Sequence, residues 1–198
     1  MHVNAAASAL RLYRGSMLTV FASGAGFALL ILADLGASAT QGVLSGLALL
    51  VALLAVVMFV AVVQFANAMP GLGWYLWGSL ALAAATIGVL VAANDSSRWS
   101  PDTTLLAIGA LLSTATVFVF NLMWLKAADR LSLWHLQSRL WGALALAVIG
   151  TLVTGAQRLG ANFGLLALLG LAASVVSAGL LWHTLGQLQR TLECRVSE

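Results

Sequence analysis

Charge is what this chain has least of. Only 8% of its 198 residues are Asp, Glu, Lys or Arg, against roughly 25% in a soluble domain, so a globule of this size would lack the polar cover it needs in water. There is a single cysteine, Cys194, which excludes an intrachain disulfide. The two prolines, Pro70 and Pro101, stand between apolar runs rather than inside them. The three histidines, His2, His135 and His183, have no spacing that would pair them on a metal or a haem, so no cofactor is expected. No nucleotide-binding loop, HExxH or GxSxG pattern occurs, which argues against an enzyme. No ionisable residue lies in the middle of an apolar run. Proton relays and ion-coupled pumps need such groups, and their absence argues against that class.

What the chain has instead is apolar length. Hydrophobic residues make up 62%, and six runs are long enough to cross a hydrocarbon core of about 30 Å as helices. They fall at about 16–35, 43–65, 73–93, 104–125, 139–156 and 162–184. The continuous Leu/Ala/Val/Gly content lacks the alternation of a barrel strand, so the spans are read as helices. The breaks are "ASATQG" (37–42), "NAMPGLG" (67–73), "NDSSRWSPD" (94–102), "KAADRLSLWHLQSR" (126–139) and "GAQRLGAN" (155–162). They leave no room for a soluble domain. The fold expected is an all-α integral membrane protein, one membrane domain over 1–198, with an interfacial N-terminal segment at 1–14 and a tail at 185–198.

Arg11 and Arg14 before the first run, with Ala37-Ser38-Ala39 after it, also fit a signal peptide. The run is longer than a typical signal core and is read as a retained first span. With the N-terminus inside, Arg11, Arg14, Lys126, Arg130, Arg139, Arg190 and Arg195 lie inside, and only Arg98 and Arg158 outside. That asymmetry places both termini in the cytoplasm. Trp74, Trp77, Trp124, Trp134, Trp141 and Trp182 gather at the cytoplasmic ends, where anchoring in the interface is the plainer reading and a ligand- or partner-binding aromatic rim the other. Trp74, Trp77, Trp124, Trp141 and Trp182 are the expected anchors. The net charge of +3 suits anionic lipid heads. The lipid bilayer is the expected partner, and no nucleic-acid partner is expected. The Ala/Gly/Leu-rich composition suits the codon bias of a GC-rich bacterial genome, so a bacterial inner membrane is the expected location.

The chain also repeats itself. "LWGSLALA" (76–83) returns as "LWGALALA" (140–147), and Gly15-Ser16 stands 63 residues before Gly78-Ser79. Thus "RGS", "WGS" and "WGA" open runs one, three and five. Among the even runs Gly46 precedes Gly109 by 63 residues, and "LLAIGALLS" (105–113) is similar to "LLALLGLAAS" (165–174). Three hairpins in one orientation, about a pseudo-threefold axis along the membrane normal, account for this. The layout resembles that of the HdeD-like acid-resistance proteins. It shares no motif with them that would transfer a function or a residue.

Helices in lipid approach through small residues. Gly42 and Gly46 make a GxxxG; Ala81, Ala85 and Gly88, then Ala143, Ala147 and Gly150, then Gly170, Ser174 and Ala178 make similar faces. Internal packing explains them, and a homo-oligomer could use a leftover face. Ser23, Thr86, Asn121 and Thr151 lie within runs, either bonded to a preceding turn or lining a weakly polar path for an uncharged solute. Leu181, Leu185, Leu188 and Leu192 form a short seam, packed within the chain or open to a partner helix. The function these features favour is a non-catalytic accessory or complex subunit acting through helix association with a membrane-protein partner. The alternative is a passive channel or facilitator, or a substrate-binding transport subunit, for a small neutral or lipophilic solute.

Overall fold

The computed structural model describes residues 3–32, 37–93, 102–158 and 164–196, and the side chains of 3–19, 50, 53–93, 102–156 and 168–194. These residues form six helices: α1 (Val3–Leu32), α2 (Ala37–Ala68), α3 (Gly73–Ala93), α4 (Thr103–Arg130), α5 (Trp134–Arg158) and α6 (Gly164–Val196). No strand occurs among them. Among the described residues four stretches, 73–93, 103–130, 134–156 and 168–194, are long and apolar enough to cross a membrane. At about 1.5 Å per residue, the 21 residues of α3 match the hydrocarbon thickness. Most of the apolar runs at 16–35 and 43–65 lies outside the described side chains, and Leu53–Ala68 is the shorter apolar stretch that α2 shows.

The chain divides into two compact units, 1–70 with 185–198, and 71–184. In the first, α1 packs on α2. The early turns of α1 bury Ala6, Ala9, Leu10, Tyr13 and Met17, the end of α2 buries Val62 and Phe65, and the end of α6 buries Leu185, Leu188 and Leu192. Residues 3–14 form the first turns of a helix that continues to Leu32, and Leu185, Leu188 and Leu192 of the leucine seam are buried within the chain.

In the second unit α4 packs on both α3 and α5. Its connections are tighter than the sequence suggests. The expected connector 126–139 shrinks to three residues, because Leu131, Leu133 and Leu136 are buried and pull the chain into a turn. Leu133 N–H donates to Ala128 C=O at 3.0 Å and Ser132 N–H to Asp129 C=O at 3.0 Å. With Ser132 at φ 58° this is a Schellman end, built on serine where glycine is the common choice. At the start of α4, Asp102 caps the helix by accepting from the N–H groups of Thr104 (3.0 Å) and Leu105 (3.2 Å).

The interior of this unit has two textures. Near the α4–α5 turn it is filled by large side chains: Met123, Trp124, Leu136 and Leu144. Farther along, helices meet at glycines. A methyl group at Gly109 would sit 2.8 Å from Leu90 Cδ2, at Gly155 2.7 Å from Ala110 Cβ, and at Gly170 2.6 Å from Val153 Cγ1. At Gly150 it would collide with Ser174 Oγ and lie 3.1 Å from the Gly170 carbonyl oxygen. Gly170 and Ser174 thus sit on the α5–α6 contact, while Gly42 and Gly46 lie outside the described side chains. The glycines of the repeated stretch behave differently: nothing lies within 4 Å of a Cβ built at Gly15 or Gly142, and one at Gly78 would make ordinary contact with Val119 Cγ1 at 3.7 Å.

Two outcomes follow for stability. Gly150→Ala is expected to lower the midpoint of thermal unfolding in detergent, by about 1–3 kcal/mol of overpacking, whereas Gly142→Ala leaves it unchanged. Ser132→Gly removes the cost of a left-handed serine and is expected to raise the same midpoint, by about 1 kcal/mol.

Candidate functional site

Three places in the fold gather polar or aromatic side chains. The first follows from the glycine contacts. Where small residues let α4, α5 and α6 approach, they leave no side chain to fill the space between. A half-enclosed cleft of about 120 Å³ results, lined by Gly109, Ala110, Ser113, Gly150, Thr151, Thr154, Gly155 and Ser174. It is roomy enough for several waters, and four of its lining residues carry hydroxyls.

Those hydroxyls are largely committed. Thr151 Oγ1 donates to the Ala147 carbonyl at 2.6 Å, Thr154 Oγ1 to Gly150 at 2.8 Å and Ser174 Oγ to Gly170 at 2.9 Å. Each bond satisfies the hydroxyl hydrogen on its own helix and leaves oxygen lone pairs facing the cleft, so the wall accepts hydrogen bonds. Of the polar residues expected along a path, only Thr151 reaches this cleft. Thr86 donates to Leu82 C=O at 2.7 Å and Asn121 Nδ2 to Val117 C=O at 2.8 Å, and neither lines it. Ser23 lies outside the described side chains.

A buried polar contact ties α6 to α5: Ser177 Oγ donates to the Ala143 carbonyl at 2.6 Å, and Ser177 is buried. Sequence reading passed over it, because the small-residue spacing pointed to Ser174 and Ala178 on either side. Only the rotation of α6 against α5 decides that Ser177 faces a free lone pair.

The second place is the end of the 71–184 unit at the α4–α5 turn. Trp74 is 87% exposed, and Trp77, Trp134 and Trp141 are exposed beside it. Trp182 is half-buried. Trp124 departs from the expected set. It is 1% exposed, with its ring edge-on to Phe120 at 6.0 Å between centroids, and belongs to the interior rather than the rim. Beside the rim, Tyr75, Leu122, Leu125, Lys126, Asp129, Gln137 and Trp141 enclose a pocket of about 250 Å³.

The third place is the end of the 1–70 and 185–198 unit. Arg11 Nη2 meets Glu193 Oε1 at 2.6 Å, Arg14 Nη1 donates to Gln189 Oε1 at 2.9 Å, and Gln189 Nε2 donates to Glu193 Oε1 at 2.8 Å. Gly186 gives the Arg14 guanidinium its place, since a Cβ there would lie 2.7 Å from Nη2. Burial, with the positive field of Arg190, pulls the Arg14 pKa below its ordinary value, while Glu193 opposes the change. Burial pushes the neighbouring Tyr13 phenol upward. The exposed ion pair adds little energy, and the network serves to hold the end of α6 in register with α1.

No family model, curated protein or solved structure matches the chain.

The helix-crossing bond gives a sharp contrast. Ser177→Ala is expected to destabilise the detergent-solubilised protein by about 1 kcal/mol, as measured for polar contacts between helices in lipid. Ser174→Ala, which removes only a bond within one helix, is expected to leave the unfolding midpoint unmoved.

Proposed function

We propose that the chain is a six-span bacterial inner-membrane protein with both termini in the cytoplasm, working without catalysis as an accessory or complex subunit through helix association. The carrying observation is the set of large apolar side chains left exposed on every helix of the 71–184 unit. Ile87, Val91, Leu111, Ile149, Leu168, Leu171, Val175 and Val176 are all exposed, Leu111 at 65%. In water such a surface would drive aggregation. In a bilayer it is a neutral lining that a partner helix or a second copy of the chain displaces at little cost.

A threefold hairpin repeat belongs to the same reading. Ser16, Ser79 and Ala143, each following a repeated glycine, are all buried. Ser16 and Ser79 both donate to their own helix, at 2.9 Å to Leu12 C=O and 2.8 Å to Leu76 C=O. The shared environment supports descent from one hairpin.

The hydroxyl-lined cleft favours a second reading, a facilitator or transport subunit for a small neutral solute that donates hydrogen bonds. Thr151 carries that reading, and the position of Thr86 and Asn121 away from the cleft's lining weighs against a path continuing through them.

Native mass spectrometry of protein gently released from its own membrane separates the two. A stoichiometric protein partner is the expected result. A bare monomer or homo-oligomer with a retained small molecule would favour the solute reading. Topology has its own check: in a Cys194→Ala background, Ser132→Cys is expected to react with an impermeant thiol reagent only from the cytoplasmic face.

A further inference from the structure

We propose that the pocket beside the α4–α5 turn binds a phospholipid headgroup carrying both a phosphate and a primary ammonium, that of phosphatidylethanolamine. The inference rests on α3, α4 and α5 crossing the membrane.

The pocket is built from three helices. α3 supplies Tyr75, α4 supplies Leu122, Leu125, Lys126 and Asp129, and α5 supplies Gln137 and Trp141. At about 250 Å³ it is twice the size of the hydroxyl cleft and more open. Its level in the membrane is marked by its neighbours. Trp74, Trp77, Trp134 and Trp141 are exposed at this same end, and exposed tryptophans settle at the depth of lipid headgroups. A lipid head is therefore the chemistry at highest local concentration in front of it. Leu122 and Leu125 lie one turn further into α4 than Lys126 and Asp129, on the side where the glycerol and acyl chains of the same lipid must run.

The polar groups select among heads. Lys126 Nζ meets Asp129 Oδ2 at 2.6 Å, and Gln137 also hydrogen-bonds Asp129. An ammonium has three N–H donors and a carboxylate about four acceptor positions, so the pair satisfies neither partner. Both side chains remain part-exposed, at 43% and 36%. Both residues line the same pocket, so it has N–H donors and carboxylate lone pairs to spare within its wall. A purely anionic head would gain Lys126 and the positive field of Arg130, but would lie against the like charge of Asp129 and leave its lone pairs unmet. A quaternary ammonium has no N–H to give the carboxylate. A phosphate joined by two carbons to a primary ammonium meets both charges at once, with the Tyr75 and Trp141 rings as walls.

The test uses the full chain reconstituted in vesicles of equal parts phosphatidylethanolamine, phosphatidylcholine and phosphatidylglycerol, with retained lipids counted by native mass spectrometry. Phosphatidylethanolamine is expected to be retained about three- to tenfold over the other two, the range of one or two exposed charge-assisted bonds. Stepwise N-methylation of the lipid is expected to erode the preference on the unaltered protein, so a variant that fails to fold does not prevent a decision. Asp129→Asn and Lys126→Gln are each expected to abolish the preference, and Arg190→Gln, in the other unit, to leave it intact. Equal retention of all three lipids overturns the site, as does a phosphatidylglycerol preference or a preference that survives full methylation. Chain that resists alkaline carbonate extraction yet shows no preference overturns the lipid site alone, whereas chain that washes off overturns the membrane reading with it.

Discussion

Helices with so few charges gain almost nothing in lipid by hiding apolar side chains from one another, since acyl chains are just as apolar. Closeness has to hold them, and closeness depends on the smallest residues. Gly150 against Ser174, Gly155 against Ala110, Gly170 against Val153 and Gly109 against Leu90 set how near α3, α4, α5 and α6 come. The bond from Ser177 to the Ala143 carbonyl exists only at that separation. The hydroxyl cleft is the geometric remainder of the same contacts, because residues chosen for having no bulk cannot fill the space between helices they bring together.

At the other end of the same unit the constraint reverses. The α4 and α5 helices are tied there by a three-residue turn. The turn is paid for by burying Leu131, Leu133 and Leu136 among bulky neighbours such as Met123 and Trp124. The Schellman bonds of Leu133 and Ser132 then satisfy carbonyls that would otherwise end α4 unpaired. Shortening this connection has a consequence for chemistry. It brings Gln137 from the start of α5 against Asp129 on the last turn of α4, and so gathers charged and aromatic side chains into one pocket.

The 1–70 and 185–198 unit uses a third device. α6 has 33 residues, more than an apolar layer of about 30 Å requires. Its last turns leave the apolar run and bury leucines with the first turns of α1 and the last of α2, while Arg11, Arg14, Gln189 and Glu193 fix the register. A seam that in isolation suits a partner helix is occupied from within. Exposed large apolar side chains lie elsewhere, on both units, among them Leu53 and Val56 in the first and Leu111 and Leu168 in the second.

Helical class, the apolar stretches at the heart of α3 to α6 and the small residues Gly150, Gly170 and Ser174 were legible in the sequence, whereas the ends of α4, α5 and α6 were not. Apolar run length and residue size act locally and leave a one-dimensional record. The two textures of packing were not legible, nor was the burial of Trp124 in place of its exposure, because a tryptophan near a helix end reads the same whichever way its helix is turned. The 126–139 connector reads as a polar loop when its charges are counted. Its three buried leucines make it a turn only once α4 and α5 are packed. Thr86, Asn121 and Thr151 look equivalent as isolated polar residues in apolar runs, and the rotation of each helix about its axis decides that Thr151 alone meets the cleft. Composition and period determined that this chain forms long apolar helices. Rotation and separation between those helices, which no single helix encodes, decided which polar groups meet and what chemistry their meeting offers.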